Sequence, residues 1–230
     1  MKEIISNSAF FGVFISLVGY EAGLFLKKKI RHPLVNPLLI SIIFVIVILI
    51  VLNIDYESYN HGARYISYLL TPATVCLAVP LYEQISLLKN NWKAIIMGIV
   101  SGVITSMSSV LLLSLAFGLS HEEYVTLLPK SITTAIGMEL SKETGGIVTI
   151  TVTVIIVTGI FGNVIAEGVC RLFRIHEPVA KGIGIGTSAH AVGTTKAMEM
   201  GQEEGAMSSL AIAVAGLLTA AGVSVFAGLM

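Results

Sequence analysis

The stretch GIGTSAHAVGTTKAMEMG, residues 184–201, decides the fold, because it interrupts an apolar chain with polar and helix-breaking residues. It contains four glycines, three threonines, a serine, a histidine and a lysine. In the whole chain, 55% of the 230 residues are hydrophobic and 12% are charged. Soluble domains are about 45–50% apolar and about 25% charged. The composition therefore indicates an integral membrane protein, in which a polar residue at membrane depth needs a reason.

Charge and motif content exclude several classes of function. The net charge is zero, so nothing points to a nucleic-acid partner. Cys76 and Cys170 lie singly in apolar segments, which predicts neither a disulfide framework nor a metal site. The run GIGIGT, residues 182–187, lacks the glycine spacing and the surrounding strands of a dinucleotide site. We therefore expect no enzyme activity, no cofactor and no metal.

Eight apolar segments separated by polar joints predict an all-α, multi-pass membrane protein with one transmembrane domain, residues 1–230. Segments two, four, six and eight are long enough to cross, since a spanning helix needs about 20 apolar residues. Segments three, five and seven are interrupted by Pro, Gly and hydroxyl residues. The segments are 6–26, 33–54, 65–85, 94–118, 124–140, 146–170, 179–199 and 206–230.

Basic residues predict the topology, because cytoplasmic joints are rich in Lys and Arg. They lie in three groups: Lys27, Lys28, Lys29 and Arg31; Lys89 and Lys93; Arg171, Arg174 and Lys181. If all three groups are cytoplasmic, the N-terminus is outside and one of segments four, five and six re-enters without crossing. Segment five is the shortest and most interrupted of these. The prediction is seven crossings plus one re-entrant segment, with the C-terminus inside.

An internal match predicts two inverted halves, approximately 1–118 and 119–230. At an offset of 116 residues, three residues of segment three recur in segment seven. The pairs are Thr71 with Thr187, Ala73 with Ala189, and Glu83 with Glu199. Segments three and seven are then two antiparallel broken helices, as inverted-repeat carriers have.

Lys130 is the most informative polar residue, because a charge at the centre of a bilayer costs at least about 2.5–3.5 kcal/mol. It follows Pro129 and precedes Ser131, Thr133 and Thr134. One interpretation is a fixed positive charge that attracts an anion into a watery cavity. The other is a shallow amphipathic segment with Lys130 at the membrane surface.

His190 and its neighbours predict an unwound stretch around residues 188–194. Unwound backbone at membrane depth is tolerated where protein or a water-filled cavity receives its polar groups, and half-helix N-termini attract anions. His190 is either a hydrogen-bonded packing residue or a group that binds substrate or moves a proton. The predicted substrate-binding residues are Thr71, Pro72, Thr74, Lys130, Ser131, Thr133, Thr134, Ser188, His190, Gly193, Thr194 and Thr195.

Glu83 and Glu199 end segments three and seven. Both fit solvated helix ends. Together with His190 they are also the candidates for proton or ion coupling.

Three stretches resemble signatures of the LrgB/CidB family of bacterial membrane proteins: residues 71–84, 127–146 and 184–216. They read TPATVCLAVPLYEQ, LLPKSITTAIGMELSKETGG and GIGTSAHAVGTTKAMEMGQEEGAMSSLAIAVAG. The resemblance implies a place in the bacterial cytoplasmic membrane, an LrgA/CidA-like partner, and holin-like or antiholin-like control of murein hydrolases and autolysis. It also implies a link to small carboxylates, since a plastid relative exchanges glycolate and glycerate and some bacterial pairs are linked to pyruvate.

Two functions remain open at this point. One is a transporter of small monocarboxylates such as pyruvate, glycolate or lactate, which explains interrupted segments with Lys130 and hydroxyls. The other is a holin-like pore or its regulator. A homodimer is expected, because a chain of this size gains a fixed scaffold by pairing.

Overall fold

The computed structural model describes residues 9–30, 35–76 and 78–230, and within these ranges it contains α-helices and no strand. The helical prediction is confirmed. The helices are α1 Ala9–Ile30, α2 Pro37–Leu52, α3 Tyr56–Ser67, α4 Leu70–Cys76, α5 Ala78–Glu83, α6 Ile85–Phe117, α7 His121–Leu127, α8 Thr134–Glu143, α9 Val148–Leu172, α10 Pro178–Met200 and α11 Gln202–Ala227.

Four helices in the described ranges are long and apolar enough to cross a membrane: Phe10–Ile30, Ile85–Phe117, Val148–Leu172 and Gln202–Ala227. The protein is therefore a multi-pass membrane protein. Segment two differs from its prediction, because its helix α2 has 16 residues and is shorter than a full span. Asn36 caps its first turn and Asn53, with φ of 50°, ends it. Segment four differs too, since α6 begins nine residues before 94 and has 33 residues.

The chain divides into two compact units, Met1–Cys76 and Leu77–Met230. In the first unit, α1 packs against α2 and α3. Gly12 allows the backbone of α3 at Tyr59 and Ala63 to approach α1 closely, and the hydroxyls of Ser16 and Tyr59 lie 2.8 Å apart. A glycine at such a crossing is typical of close helix packing in membranes.

In the second unit, residues 121–147 form a hairpin of two short helices, which we call the first hairpin. α7 and α8 have seven and ten residues, and residues 128–133 between them are not helical. The two ends of the hairpin meet: the Ile147 amide donates to Thr126 Oγ1 over 2.8 Å. Thr151 Oγ1 also donates to the Thr126 carbonyl over 2.9 Å and lies 2.7 Å from Ser141 Oγ. The two ends of the first hairpin therefore lie side by side, and the re-entry of segment five into the membrane stays a prediction.

α10 is a second hairpin rather than one rod. Its backbone leaves the helical region at Ala189 and His190, and His190 has φ of 41° and ψ of −143°. A Cβ on Gly193 would lie 3.0 Å from Ile185 Cγ2 and 3.3 Å from the Ile185 carbonyl oxygen. In a straight helix, residues eight apart are about 12 Å apart along the axis. The chain therefore reverses at Ala189–His190, and Pro178–Met200 is called the second hairpin.

Contacts with α11 show the same reversal. The Ser208 backbone lies against Gly186 of the first limb. The Ser208 hydroxyl lies 2.7 Å from the Thr194 hydroxyl of the second limb. Gly205, at the start of α11, faces Met198 of the second limb. The interruption predicted in segment seven is confirmed, whereas its predicted passage through the membrane stays a prediction. Each limb has about 11 residues and reaches about 17 Å, half of a bilayer.

The two hairpins enter the second unit from opposite ends. Along α9, Thr151 meets the first hairpin, while Gly159, Asn163 and Glu167 meet the second hairpin in turn. α11 follows the opposite order, from Ser208 to the Phe226 carbonyl, which accepts the Tyr124 hydroxyl over 2.8 Å.

The two ends of this unit differ in Lys and Arg content, and the end rich in them, called the basic end, also carries Glu167, Glu199 and Glu204. The end with the base of the second hairpin carries Lys89, Lys93, Arg171, Arg174 and Lys181. The other end carries Glu122 and Glu123, and hydrogen bonds from the Ser120 backbone amide and hydroxyl lower the pKa of the Glu123 carboxyl. The chain ends near this acidic end, whereas the C-terminus was expected at the basic, cytoplasmic end.

Candidate functional site

The tips of the two hairpins reach the same depth of the second unit, where each contacts α6 and α9. On α9, the Ile155 side chain lies against Gly137 of the first hairpin, and its carbonyl accepts a hydrogen bond from His190 Nε2 over 2.9 Å. On α6, Gly102 faces Thr187 of the second hairpin. Ser106, one turn further along α6, contacts Lys130 and Ser131 of the first hairpin. Two interrupted backbones thus lie beside α6 and α9 at a common depth.

Lys130 lies in the non-helical tip of the first hairpin and is half-buried. Its Nζ donates to Ser131 Oγ over 3.0 Å and to Ser106 Oγ over 3.5 Å. No carboxylate in the described part of the chain forms a salt bridge with it. Ser106 precedes Phe117, the last residue of α6, by about 16 Å along the helix axis. This depth favours the interpretation of Lys130 as a charge inside the membrane over a place at its surface.

His190 forms the tip of the second hairpin and is buried, with 3% of its surface exposed. Its Nε2–H donates to the carbonyl of Ile155, which leaves that ring nitrogen no proton-accepting role in this conformation. Gly159 makes room for the ring, since a Cβ there would lie 2.6 Å from the imidazole Cε1. The positive φ of a non-glycine residue stores strain of about 1–3 kcal/mol and is typical of functional sites.

The other predicted residues of the second hairpin divide into two groups. Thr194 is buried, and its hydroxyl bonds to the His190 carbonyl and to the Ser208 hydroxyl. Gly193 is buried between the two limbs. Ser188 and Thr195 are exposed and bond to carbonyls of their own limbs, and Thr195 also accepts from Asn163.

The first hairpin places Thr133 and Thr134 at the start of α8. Both are half-buried, and Thr133 occupies the N-cap position without a side-chain cap. Ser131 is 7% exposed and is the nearest partner of Lys130. The structure therefore brings Lys130 and Ser131 together, with Thr133 and Thr134 in the same turn.

The predicted residues of segment three are less fully described. Pro72 is the third residue of α4, and it is exposed. The side chains of Thr71 and Thr74 lie outside the described residues, so their role in binding stays a prediction. Glu83 is exposed at the end of α5. Glu199 pairs with Lys196 over 3.5 Å, and Lys196 pairs with Glu167 over 3.1 Å, at the base of the second hairpin.

Two residues of the site, Ser106 and Thr187, are not among the substrate-binding residues predicted from the sequence. Ser106 lies in the small-residue run of α6, which resembles ordinary helix packing. Thr187 is 5% exposed, and no described atom hydrogen-bonds to its buried hydroxyl. Only the pairing of the hairpin tips with α6 reveals them. A partly buried ion pair at the base, Lys181 with Glu204 over 3.5 Å, is likewise absent from the prediction.

Comparisons with known proteins identify the family. No solved structure matches the chain. The chain is 37% identical over 207 residues to the holin-like protein CidB of Staphylococcus aureus strain Mu50, covering 90% of each chain. It is 37% identical over 218 residues to the antiholin-like protein LrgB of Bacillus cereus strain B4264, covering 94% of this chain and 95% of the relative. The profile of the LrgB-like family matches residues 16–229. The chain therefore belongs to the LrgB-like family.

Proposed function

We propose that this protein transports or facilitates the passage of small monocarboxylates of the pyruvate, glycolate and lactate type. The observation that carries the proposal is the common depth of the two hairpin tips, half-way through the second unit, with Lys130 in one tip. Carriers place their substrate near the bilayer midplane between interrupted helices. Neither tip alone reaches through the membrane, so a solute bound between them is separated from both sides.

The site costs free energy to form inside a membrane. Interrupted backbone is expensive at this depth unless it faces a ligand or a watery cavity, and so is a lysine that has no carboxylate partner among the described residues. A helix bundle whose only task is to associate in the bilayer does not need either. A carboxylate offsets the charge of Lys130, and its small size suits a site between two hairpins.

The test is uptake of labelled pyruvate by proteoliposomes that contain the purified protein. We expect saturable uptake that is lost in Lys130→Met, which keeps the length of the side chain but removes its charge. Lys130→Arg should retain part of the activity if charge alone matters. The matched control is Lys142→Met, because Lys142 is exposed on α8 of the same hairpin. Unchanged uptake by Lys130→Met would contradict the proposal.

The second candidate is holin-like or antiholin-like control of membrane permeability, acting on murein hydrolase activity and autolysis. The relatives' names favour it more directly than they favour transport, because one is named holin-like and the other antiholin-like. The same proteoliposomes can be loaded with a large fluorescent dye. Release of the dye without saturable pyruvate uptake would support this candidate over the first. A change in autolysis that persists in Lys130→Met would support it further.

We also propose six membrane crossings, made by the four long helices, by α2 and by the interrupted segment three, together with two re-entrant hairpins and the N-terminus outside. The fold-back of α10 removes one crossing from the seven expected, and places the C-terminus outside. The second unit then contains two inverted pairs, the first hairpin with α9 and the second hairpin with α11. The basic end of this unit faces the cytoplasm in this arrangement.

An LrgA/CidA-like membrane protein and a second copy of the chain are the proposed partners. The family resemblance supports the first partner, and the need for a fixed scaffold beside the moving hairpins supports the second. Co-purification from a membrane that contains the LrgA-like protein, followed by mass determination of the complex, tests both. Neither proposed function requires the protein to make or break a covalent bond.

A further inference from the structure

The hydrogen-bond donors around Lys130 exceed the acceptors that the protein supplies. Lys130 Nζ carries three N–H groups, and each serine hydroxyl carries one O–H. Two N–H groups are directed at Ser131 Oγ and Ser106 Oγ, and one hydroxyl is used in the 3.1 Å contact between these two serines. One N–H and one O–H then remain without an acceptor in the described part of the chain, beside a positive charge.

A carboxylate matches these remaining donors, because it brings one negative charge and two acceptor oxygens. A monatomic anion balances the charge but offers a single centre to two separate donors. Ser131 is 7% exposed and Lys130 is half-buried, so the group is sheltered and still reachable. Hydrogen bonds to an ionised group are stronger than those between neutral groups.

Thr187 supplies a second, independent observation on the other hairpin. Its buried hydroxyl has no hydrogen-bond partner among the described residues, which is unfavourable unless a ligand or water satisfies it. It lies beside Gly102: a Cβ on that glycine would be 2.7 Å from Thr187 Cγ2 and 3.8 Å from Thr187 Oγ1. Gly102 and Ser106 are four residues apart on α6, so they share a face at a separation of about 6 Å.

We propose that Ser106 of α6 and Thr187 of the second hairpin complete a carboxylate site with Lys130 and Ser131. The carboxylate lies on the Lys130, Ser106 and Ser131 group. The Thr187 hydroxyl bonds to an oxygen on the adjacent carbon of the ligand. This inference rests on the transport function proposed above and names the side chains that carry it.

The experiment is calorimetric titration of the purified full-length protein in detergent with lactate, propionate and chloride. Lactate and propionate differ only in the hydroxyl next to the carboxylate. Wild type should bind lactate more tightly than propionate, and both more tightly than chloride. Ser106→Ala should weaken binding of both acids about tenfold, as the loss of a bond to an ionised group predicts. Thr187→Val should weaken lactate alone, because it keeps the shape and removes the hydroxyl.

Two further variants control for folding. Ser109→Ala removes an exposed hydroxyl that donates to the Thr105 carbonyl of the same helix, and it should bind both acids as wild type does. Ser106→Thr keeps the hydroxyl and should retain most of the affinity. Unfolding temperatures without ligand show whether each variant is intact.

The outcomes separate this inference from the proposed function. Wild-type affinity in Ser106→Ala, equal losses for both acids in Thr187→Val, or chloride binding as tight as lactate binding would each overturn the inference. Binding as expected without pyruvate uptake in proteoliposomes would contradict transport and leave the site standing. Uptake that is unaffected by Ser106→Ala would leave transport standing and overturn the site.

Discussion

At the scale of single residues, His190 combines a strained backbone with a buried side chain. A residue with φ of 41° and ψ of −143° is far better accommodated as glycine. The hydrogen bond to Ile155 and the fit against Gly159 compensate in part for that strain. A histidine held in this conformation fixes the tip of the second hairpin to α9.

The strain predicts an unusual order of stability for two variants. His190→Ala loses the ring and keeps the strain, whereas His190→Gly loses the ring and relieves it. We expect the glycine variant to unfold about 2–4 °C above the alanine variant for each kcal/mol of strain relieved. Thermal unfolding of both proteins in detergent measures this. An alanine variant as stable as the glycine variant would show that the tip stores no strain.

The hydrogen bonds of Thr194 predict that its hydroxyl contributes to stability. Its hydroxyl joins the carbonyl of His190 to the hydroxyl of Ser208, so it ties the second limb to α11. Thr194→Val should lower the free energy of unfolding by about 1–3 kcal/mol, because Ser208 is left buried without that partner. Thr195→Val, at an exposed neighbour, should change stability much less. Equal unfolding temperatures for the two variants would contradict this role.

At the scale of elements, glycines decide whether the second hairpin closes. A Cβ on Gly193 would lie 2.6 Å from Ala189 Cβ, whereas a Cβ on Gly184 would meet no atom within 4 Å. We expect Gly193→Ala to destabilise the protein by about 1–3 kcal/mol through overpacking. Gly184→Ala should stabilise it by about 0.5–1 kcal/mol through helix propensity. Unfolding curves of the two variants test the reversal, since a straight α10 would tolerate both.

Some features of the helices can be predicted from the sequence, and the reversal of α10 cannot. The length of the apolar segments predicts α6, α9 and α11, because a membrane-spanning helix needs about 20 apolar residues. Glycines and hydroxyls predict that segment seven is interrupted near Ala189–His190. They do not distinguish a kink from a full reversal, because both need the same permissive residues. The reversal depends on contacts such as Ile185 with Gly193, which form only when the two limbs fold together.

At the scale of the whole molecule, the site is likewise only partly visible in the sequence. Lys130 and Ser131 stand out because they are polar in an apolar segment. Ser106 does not, since serines are common in packed membrane helices. The predicted partnership between segments three and seven stays a prediction, because the side chains of Thr71 and Thr74 lie outside the described residues. Among the described residues, the structure places the tips of segments five and seven at the same depth, each packed against α6 and α9.

The fold-back of α10 makes a prediction about the side of the membrane on which the chain ends. In a protein whose own Cys76 and Cys170 are replaced, single cysteines at position 122, at position 176 and at the C-terminal Met230 report three places. An impermeant thiol reagent added to intact cells should label positions 122 and 230. Position 176 should react only after the membrane is opened, because it follows α9 at the basic end of the second unit. A permeant reagent that labels all three positions is the control. If position 230 is protected together with position 176, α10 crosses the membrane after all and the two hairpins do not oppose one another.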